Sequence, residues 1–571
     1  MGERWNHEVD VLVVGSGAGG MTAALAARHH GLDTLVIEKL STFGGSSALS
    51  GGGVWIPNNP VNVRAGVPDS IEKARTYLKS VVGDRVPEAR IEAFLQAGPA
   101  TIDFLERHTR HVRFMRVPGY SDYHPEEPGG DPNGRTLEPV PIDARLLGEE
   151  ADRLNKSNLM APPGGMWITQ SDYRRLTHVM RTWQGRRTAL KVGVRTFVTR
   201  AMGRKMLSLG AAGAARMRLA LRDAGIPVWL DTPLRELIVE NGAVVGARVE
   251  RNGESLAVRA RRGVLLAAGG FERNEEMRRK WQKEPINGTW TSGSEGNTGD
   301  AIQAGMAVGA AVDLMDDAWW GPSIEAGPAS IFILAERSLP GAIIVNSEGR
   351  RYFNEAAPYV NFVHAMYRGH ESGVGHIPSF LLIDGLYRSR YPFFSVPPRK
   401  SFPRSWVKYG IVHIHESLEE VAADIGVPIE NLRQTVDRYN GFAATGRDLD
   451  FGKGDSAYDR YYGDPSIKPN PCLAPFGEPP FYSFRLVPGD LGTKGGLVCD
   501  EHSRVLRADG SPIAGLYATG NTSASVMGNE YPGAGGTLGP AMVFGYIAAR
   551  HIADSQVTPG APTQDAPTPV A

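Results

Sequence analysis

Three kinds of segment in this sequence carry residue types able to do chemistry. They are a glycine turn suited to phosphate, further glycine turns after short apolar runs, and tyrosines set among Gly and Pro. Gly15-Ser16-Gly17-Ala18-Gly19-Gly20 fits the spacing G-x-G-x-x-G. In that spacing the first glycine makes a tight turn, the second lets a pyrophosphate reach the backbone, and the third lets helix and strand pack closely. The helix that follows aims its free N–H groups and positive end at the phosphates. Glu38 stands 18 residues after Gly20, with Lys39 beside it. An acid there accepts hydrogen bonds from ribose hydroxyls and favours a 2′-hydroxyl over a 2′-phosphate. A packed glycine turn with no ligand explains the motif alone. Here the motif follows a strand, opens a helix and meets an acid at the right distance, which predicts dinucleotide binding.

Three further glycine turns follow. Thr42-Phe43-Gly44-Gly45-Ser46-Ser47 comes soon after the acid and runs on to Ser50-Gly51-Gly52. Val264–Gly270 ends in Ala268, Gly269 and Gly270, and Gly515–Asn521 ends in Gly520 and Asn521. Each alone has an ordinary reading as loop chemistry. In this order they resemble the FAD domain of the succinate dehydrogenase and fumarate reductase flavoprotein superfamily. The resemblance implies FAD as cofactor, with these turns, Gly536 and Leu538 as its contacts. No His lies just before Gly44, the region where covalently flavinylated relatives carry one, so FAD bound without a covalent link is expected. No second well-placed G-x-G-x-x-G occurs, so no nicotinamide partner is expected.

The segment Met527–Pro540, which contains Tyr531-Pro532-Gly533-Ala534-Gly535, resembles that of the 3-ketosteroid Δ1-dehydrogenases. So do Ser47–Asn59 and Leu491–Leu497. The resemblance implies that Tyr531, through its hydroxyl, and Gly535, through its backbone N–H, hold a C3 carbonyl. Such preplaced donors stabilise charge that develops on oxygen. Gly349–Tyr359 resembles the segment with the family's base, so Tyr359 is the matching residue that takes a proton from C2 while C1 gives a hydride to flavin N5. A phenol that titrates near pH ~10 must be tuned for that work. The fourth residue, an assisting tyrosine, maps to Tyr123, with Tyr120 three residues away. Structural packing is the plain alternative for any single tyrosine. A 3-ketosteroid Δ4-dehydrogenase is the nearest alternative activity. A fumarate reductase is the next, but it carries an arginine at the place of Tyr359.

The elements that must position these residues give an α/β fold. Val9–Val14, the Ala-rich Met21–His30 and Leu35–Ile37 read as strand, helix and strand, closing a βαβ unit. Ile226–Gly270 reads as several strands. From Pro285 to Tyr482 aromatic residues and Pro become frequent and the βαβ rhythm fades. Leu516–Gly520 then reads as a strand and Gly539–Ile552 as a helix. The expected architecture is a Rossmann-type FAD-binding domain formed from both chain ends (1–284 and 483–555) with an inserted α+β catalytic domain (285–482). A Pro/Ala/Thr-rich tail, 556–571, is expected to be disordered. Asn297–Ala301 is expected to open a helix at Asp300.

Formal charge is zero, which gives no sign of nucleic-acid binding. Two cysteines leave no disulfide framework, and the histidines show no metal-ligand spacing, so no metal is expected. No apolar run approaches the ~20 residues of a membrane span, and the polar start of the chain does not read as a secretory signal. A cytoplasmic enzyme is expected. From Arg174 to Arg222, however, thirteen Lys or Arg occur with no Asp or Glu, interleaved with Leu, Val, Met, Trp183 and Phe197. Such text suits peripheral contact with an anionic membrane, here the inner face of the cell membrane, or arginines paired elsewhere in the fold. The expected partners are a 3-ketosteroid and an electron acceptor of undetermined identity, a quinone being one candidate.

Overall fold

A computed structural model describes residues 4–156 and 166–555. The expected disordered tail lies outside them. β1 (His7–Val14), α1 (Ala18–His29) and β2 (Thr34–Ile37) form the expected βαβ unit. β1 is the centre of an eight-stranded sheet and is paired in parallel on both sides, with β2 and with the strand Glu254–Leu266. A strand enclosed in that way must be apolar on both faces, which is why Val11–Val14 carries no polar alternation. The sheet continues through Pro512–Ala518, parallel to Glu254–Leu266, and the antiparallel edge Arg504–Leu506. Val228–Trp229 closes its other side beyond β2. Leu234–Glu240 and Ala243–Arg251 form an antiparallel meander on the first half of Glu254–Leu266.

The two chain ends meet through glycine. The helix Leu538–Asp554 packs against α1. A Cβ on Gly19 would lie 2.8 Å from the Ala541 carbonyl oxygen, and one on Gly545 would lie 2.4 Å from that of Gly19. The two backbones therefore approach as closely as backbones can. The fold class is thus the expected one: a Rossmann-type sheet drawn from both ends, with an α+β body inserted.

The inserted body is built on a six-stranded antiparallel sheet ordered Ala329–Phe332, Ala318–Ala326, Phe481–Thr493, Ser379–Ile383 and Ile343–Val345, with His413–His415 also on Phe481–Thr493. Phe481–Thr493 crosses the boundary expected at 482, because its pairing with Ala318–Ala326 continues to Thr493. The strand is a continuous beam between the inserted sheet and the flavin-type turns.

The basic stretch divides in two. The helix Leu209–Asp223 is mostly buried, against α1 and the second glycine turn. Its Arg216 donates to the Val140, His111 and Pro141 carbonyls, and Arg218 pairs with Glu150. Arg181 and Arg195 pair with Asp464 and Asp172. Trp183–Ala201 behaves differently. It buries Gly185, Thr188, Val192 and Thr196 on one face. On the other, Trp183, Leu190 and Phe197 are 76%, 69% and 74% exposed, and Val194 lies among them. Among the described residues no carboxylate pairs with Arg186, Arg187, Lys191 or Arg200, which flank or interrupt that stripe. No described helix is long and apolar enough to cross a membrane.

A buried ion network fixes the segment before Tyr359. Arg351 donates to Glu355 at 2.6 and 2.8 Å and to Asp448 at 2.7 Å, and Lys453 lies 3.3 Å from Glu355. Burial alone would raise the Glu355 carboxyl, but Arg351 and Lys453 overcome it and hold the group down at about 2. A carboxyl with a depressed folded-state value stabilises the fold fully above its unfolded value and loses that contribution as pH falls. Stability is therefore expected to fall between about pH 4.5 and pH 2. Arg351→Met, which takes from buried Asp448 its arginine partner and leaves Glu355 paired with Lys453, is expected to cost about 3–5 kcal/mol. Denaturant melts of both proteins at neutral and acid pH check this, and an unchanged midpoint for the variant would refute it.

Candidate active site

The first glycine turn explains its own residues unequally. Gly15 has φ +110°, and a Cβ there would lie 2.3 Å from the Ala267 carbonyl oxygen. A Cβ on Gly20 would lie 2.2 Å from the Gly15 oxygen. Both are demanded by packing. Gly17 is not. Its φ is −71°, and a Cβ would meet only the Ser47 hydroxyl at 3.5 Å. No protein contact calls for glycine at 17, so the space above it suits a ligand that approaches the backbone. α1 begins there with no side-chain cap; Ala18 N–H donates to Ser47 Oγ at 3.0 Å.

Ser16 ties the parts together. Its N–H and Oγ donate to Glu38 Oε2 at 3.0 and 2.6 Å, and its Oγ accepts from Gly44 N–H at 3.0 Å. Glu38 Oε1 accepts from Leu40 N–H. The acid at the end of β2 thus lies against the first turn, and the first turn against the second. Lys39 pairs with Asp300 at 2.7 Å, at the start of the expected helix Asp300–Ala307. In the second turn Gly44 has φ +102°, and Gly45 has φ +48° with nothing within 4 Å of its Cβ position. Ser46 Oγ accepts from Ser294 N–H and Asn297 Nδ2. Ser50 Oγ donates to the Ser47 carbonyl and accepts from Gly52 N–H, so it serves its own turn. Gly51 faces Gln170, and Gly52 (φ +71°) lies against the Leu209 backbone.

The remaining cofactor candidates come from the later strand ends. Ala268 and Gly269 follow Glu254–Leu266, and the Gly269 carbonyl accepts from Thr522 Oγ1. Gly520 (φ +63°) and Asn521 follow Pro512–Ala518; Asn521 accepts from Trp319 Nε1 at 3.1 Å. Gly536 lies on the Tyr531 ring, and Leu538 opens the last helix, which also lacks a side-chain cap. Ala18, Ser47, Gly52 and Leu538 line one cavity, with Gly210 and Ala214 of Leu209–Asp223. Those last two residues escape a sequence reading, because their stretch registers as basic. The small-residue run Gly210–Ala215 is the signal that marks a close-packed helix. Two uncapped helix starts, an acid at a strand end and a glycine that only a ligand requires fit a dinucleotide such as FAD.

Three tyrosines from distant segments converge beside it. Tyr123 hydroxyl donates to Tyr359 hydroxyl at 3.1 Å. Ring centroids are 5.1 Å apart for Tyr123 and Tyr531, and 5.5 Å for Tyr359 and Tyr531. Tyr123 is set by its own N–H, which donates to the Pro532 carbonyl at 3.0 Å. Tyr359 is the first residue of the helix Tyr359–Glu371, at its positive end. Tyr531 accepts from Thr537 Oγ1 at 3.3 Å, and the Gly535 amide also acts on its hydroxyl. Gly535 has φ +98° and packs on Gly53, while its carbonyl accepts from Trp55 N–H. The Gly535 amide therefore lies close to the Tyr531 hydroxyl. Tyr120 lies farther out, stacked on Tyr461. Of the two candidates for the assisting position, it is Tyr123 that touches Tyr359.

Burial pushes Tyr359 well above the ordinary phenol value, and Tyr531 and Tyr120 add to the rise; the Tyr123 hydrogen bond opposes it. Burial likewise raises Tyr123 and Tyr531. The environment resists ionisation. A cation lies among these phenols. Arg337 is fully buried, and its Nη1 donates to the Glu355 carbonyl. Its Nε and Nη2 have no hydrogen-bond partner among the described residues. Burial lowers its pKa, and Tyr458, Asp459, Tyr359 and Tyr123 act to raise it, which places its charge among the phenols. No motif surrounds Arg337 in the sequence. Tyr458, Tyr461 and Tyr462, which wall this side, do carry a signal in their i, i+3, i+4 spacing on the helix Ala457–Tyr462.

The sequence profile described as "FAD binding domain" matches residues 10–538. A 3-oxosteroid 1-dehydrogenase of Mycobacterium tuberculosis is 50% identical over 557 residues, covering 96% of this chain and 99% of the relative. The crystal structure of 3-ketosteroid Δ1-dehydrogenase from Sterolibacterium denitrificans, in complex with 1,4-androstadiene-3,17-dione, superimposes with a TM-score of 0.92 at 42% identity, over 96% of this chain and 100% of that one. The 3-ketosteroid-Δ4-(5α)-dehydrogenase from Rhodococcus jostii RHA1 gives a TM-score of 0.67 at 22% identity, over 97% and 98% of the two chains. That last likeness is one of fold.

The two readings of the glycines are separable. Gly17→Ala is expected to keep the melting temperature of the apoprotein but weaken FAD retention by about tenfold or more, since ~1.4 kcal/mol of lost approach is a factor of ten. Gly20→Ala is expected to lower the melting temperature itself. Thermal melts with and without added FAD distinguish them, and equal behaviour of the two variants would refute the assignment.

Proposed function

The chain belongs to the family of FAD-dependent 3-oxosteroid 1-dehydrogenases, and from that membership we propose how its residues introduce a C1–C2 double bond into the A ring of a 3-ketosteroid. What carries the proposal is the meeting of Tyr123, Tyr359 and Tyr531, brought together from segments more than a hundred residues apart. The cofactor fit rests on Gly15–Gly20, Glu38, Gly45, Ser47 and the start of Leu538–Asp554. Bound FAD supplies the acceptor for the hydride that leaves C1.

The protein's own part is to polarise one oxygen and remove one proton. The Tyr531 hydroxyl and the Gly535 N–H donate to the C3 oxygen and so acidify the adjacent C–H bond. Tyr359, as phenolate, accepts the proton from C2. Tyr123 keeps its own proton and donates to the Tyr359 oxygen, which stabilises the phenolate. The helix that begins at Tyr359 and the Arg337 guanidinium favour the same charge. An apolar, aromatic surround suits a steroid body, and the matched positions offer no cationic clamps of the kind a dicarboxylate requires.

Docking on an anionic membrane surface is a further part of the proposal. Its support is the exposed apolar stripe of Trp183–Ala201 with basic residues on both flanks. A steroid partitions into lipid, and a lipid-soluble quinone acceptor would be met at the same surface.

Anaerobic addition of a Δ4-3-ketosteroid is expected to bleach the flavin and yield a 1,4-diene, identified by NMR. Product desaturated elsewhere, or no bleaching, would refute the activity. Tyr359→Phe is expected to keep the yellow colour and lose about 10²–10⁴-fold in flavin reduction. Because the base must be ionised and its folded value is raised, the rate of flavin reduction is expected to climb with pH by up to about tenfold per unit. Arg337→Met should displace that climb to higher pH; a profile that does not move would remove Arg337 from the account. For the membrane proposal, sedimentation with vesicles containing phosphatidylglycerol at low salt should deplete the wild type and not the Trp183→Ser/Phe197→Ser double variant. Equal recovery of both in the supernatant would sink it.

A further inference from the structure

We propose that His413, His415 and Asp424 form a surface site for a borderline divalent cation of the Zn²⁺ type, separate from the flavin and steroid sites. His413 and His415 are alternate residues of the strand His413–His415, so their side chains leave the same face. The helix Leu418–Ile425 brings Asp424 over that face. Its carboxylate oxygen Oδ2 lies 2.8 Å from His413 Nδ1 and 3.3 Å from His415 Nε2. The three donor atoms all fall within 4.8 Å of one another. A tetrahedral ion with bonds of ~2.0–2.2 Å sets its ligands ~3.4 Å apart, so small side-chain rotations admit it.

The chemistry of the donors selects the ion. Two imidazole nitrogens and one carboxylate suit Zn²⁺, Ni²⁺ or Co²⁺, whereas Mg²⁺ and Ca²⁺ favour all-oxygen sets. Three protein ligands leave a position for water. Asp424 sits in the last turn of its helix, where the dipole favours a cation. Ser483 Oγ donates to Asp424 Oδ2 at 3.4 Å and supplies an outer contact that orients the carboxylate. His413 and Asp424 are partly open to solvent, which leaves an entry path. This goes beyond the sequence reading, which expected no metal. H-x-H gives only two ligands in the sequence, and the third arrives through a helix nine residues later.

The site lies at one end of Phe481–Thr493, where His413 pairs with Ser483. The other end, at Thr493, accepts from Phe271 N–H next to the glycine turn at 269–270. Ten strand residues separate the two, about 33 Å. Binding and turnover are therefore separable readouts.

The test uses tag-free, FAD-loaded protein, stripped with EDTA and dialysed, then titrated with Zn²⁺ in a calorimeter. One equivalent is expected to bind, and to raise the melting temperature. His413→Ala and His415→Ala should each weaken binding by about 100-fold, at or beyond the scale of ~10–100-fold seen when outer contacts are lost. Their flavin spectra and steroid turnover should match the wild type, which shows that they fold. If the His413→Ala/His415→Ala double variant binds Zn²⁺ as tightly as the wild type, or the wild type binds none, the three residues are a hydrogen-bonded cluster and the proposal fails.

Discussion

In the proposed mechanism, the constraint around which this molecule is organised is a phenol that must surrender its proton where water cannot reach it. Removal of solvent makes each donor at the substrate oxygen worth more, since a low-dielectric site strengthens charge-assisted hydrogen bonds. The same removal makes the phenolate costly. The two demands meet at Tyr359, whose ring touches both Tyr123 and Tyr531. In the proposal its partners divide the work of offsetting that cost: a neighbouring hydroxyl, the start of a helix, and a guanidinium with two nitrogens that have no hydrogen-bond partner among the described residues. An unpaired buried cation is expensive in a resting protein. It becomes intelligible in the proposed mechanism, where a negative charge appears nearby during each turnover.

Such a site works only if its three phenols hold still, and the fastening comes from loops, not from the sheet. The Pro532 carbonyl is the hub: it accepts from Tyr77 hydroxyl at 2.6 Å and from Tyr123 N–H. Beneath it, Lys494 lies 3.2 Å from Asp317 and donates to the Asn529 carbonyl, and Asn529 Nδ2 donates to Asp317 at 3.0 Å. Burial would raise Asp317, but Lys494 and His364 hold it below the ordinary carboxylate range. The segment Leu491–Leu497, singled out by its motif, thus acts through Lys494 as a clamp on the loop that carries Tyr531. The Arg351–Glu355 network does the same for the loop that leads into Tyr359.

The nucleotide-binding half was legible because its signals are local. A strand of apolar residues, a glycine turn and an acid at a fixed offset leave one arrangement that fits, and Ser16, Glu38 and Gly44 meet as that arrangement requires. Tyr359 and Tyr531 were singled out only through resemblance, since nothing local distinguishes a catalytic phenol from a packed one. Arg337 and Gly210 were not legible, because their roles arise from what other segments place beside them. The boundary expected at 482 was set by composition, which changes where aromatic residues thin out, whereas the strand Phe481–Thr493 that crosses it ends where its pairing ends. The basic stretch looked uniform as text, but its arginines serve two ends, some tied to buried carbonyls and carboxylates and others left at the surface.

The contact between Gly19 and Gly545 has a bearing on how the chain is made. The first strand and helix leave the ribosome early, yet their neighbours in space, Glu254–Leu266 and Leu538–Asp554, are encoded hundreds of codons downstream. At elongation rates of about 5–20 residues per second, that unit waits tens of seconds with one edge of its apolar strand unpaired and its helix uncovered. Biogenesis is then a matter of shelter as much as sequence. Any nonsense mutation before the final helix leaves the coenzyme cradle without its lid, however intact the rest of the polypeptide.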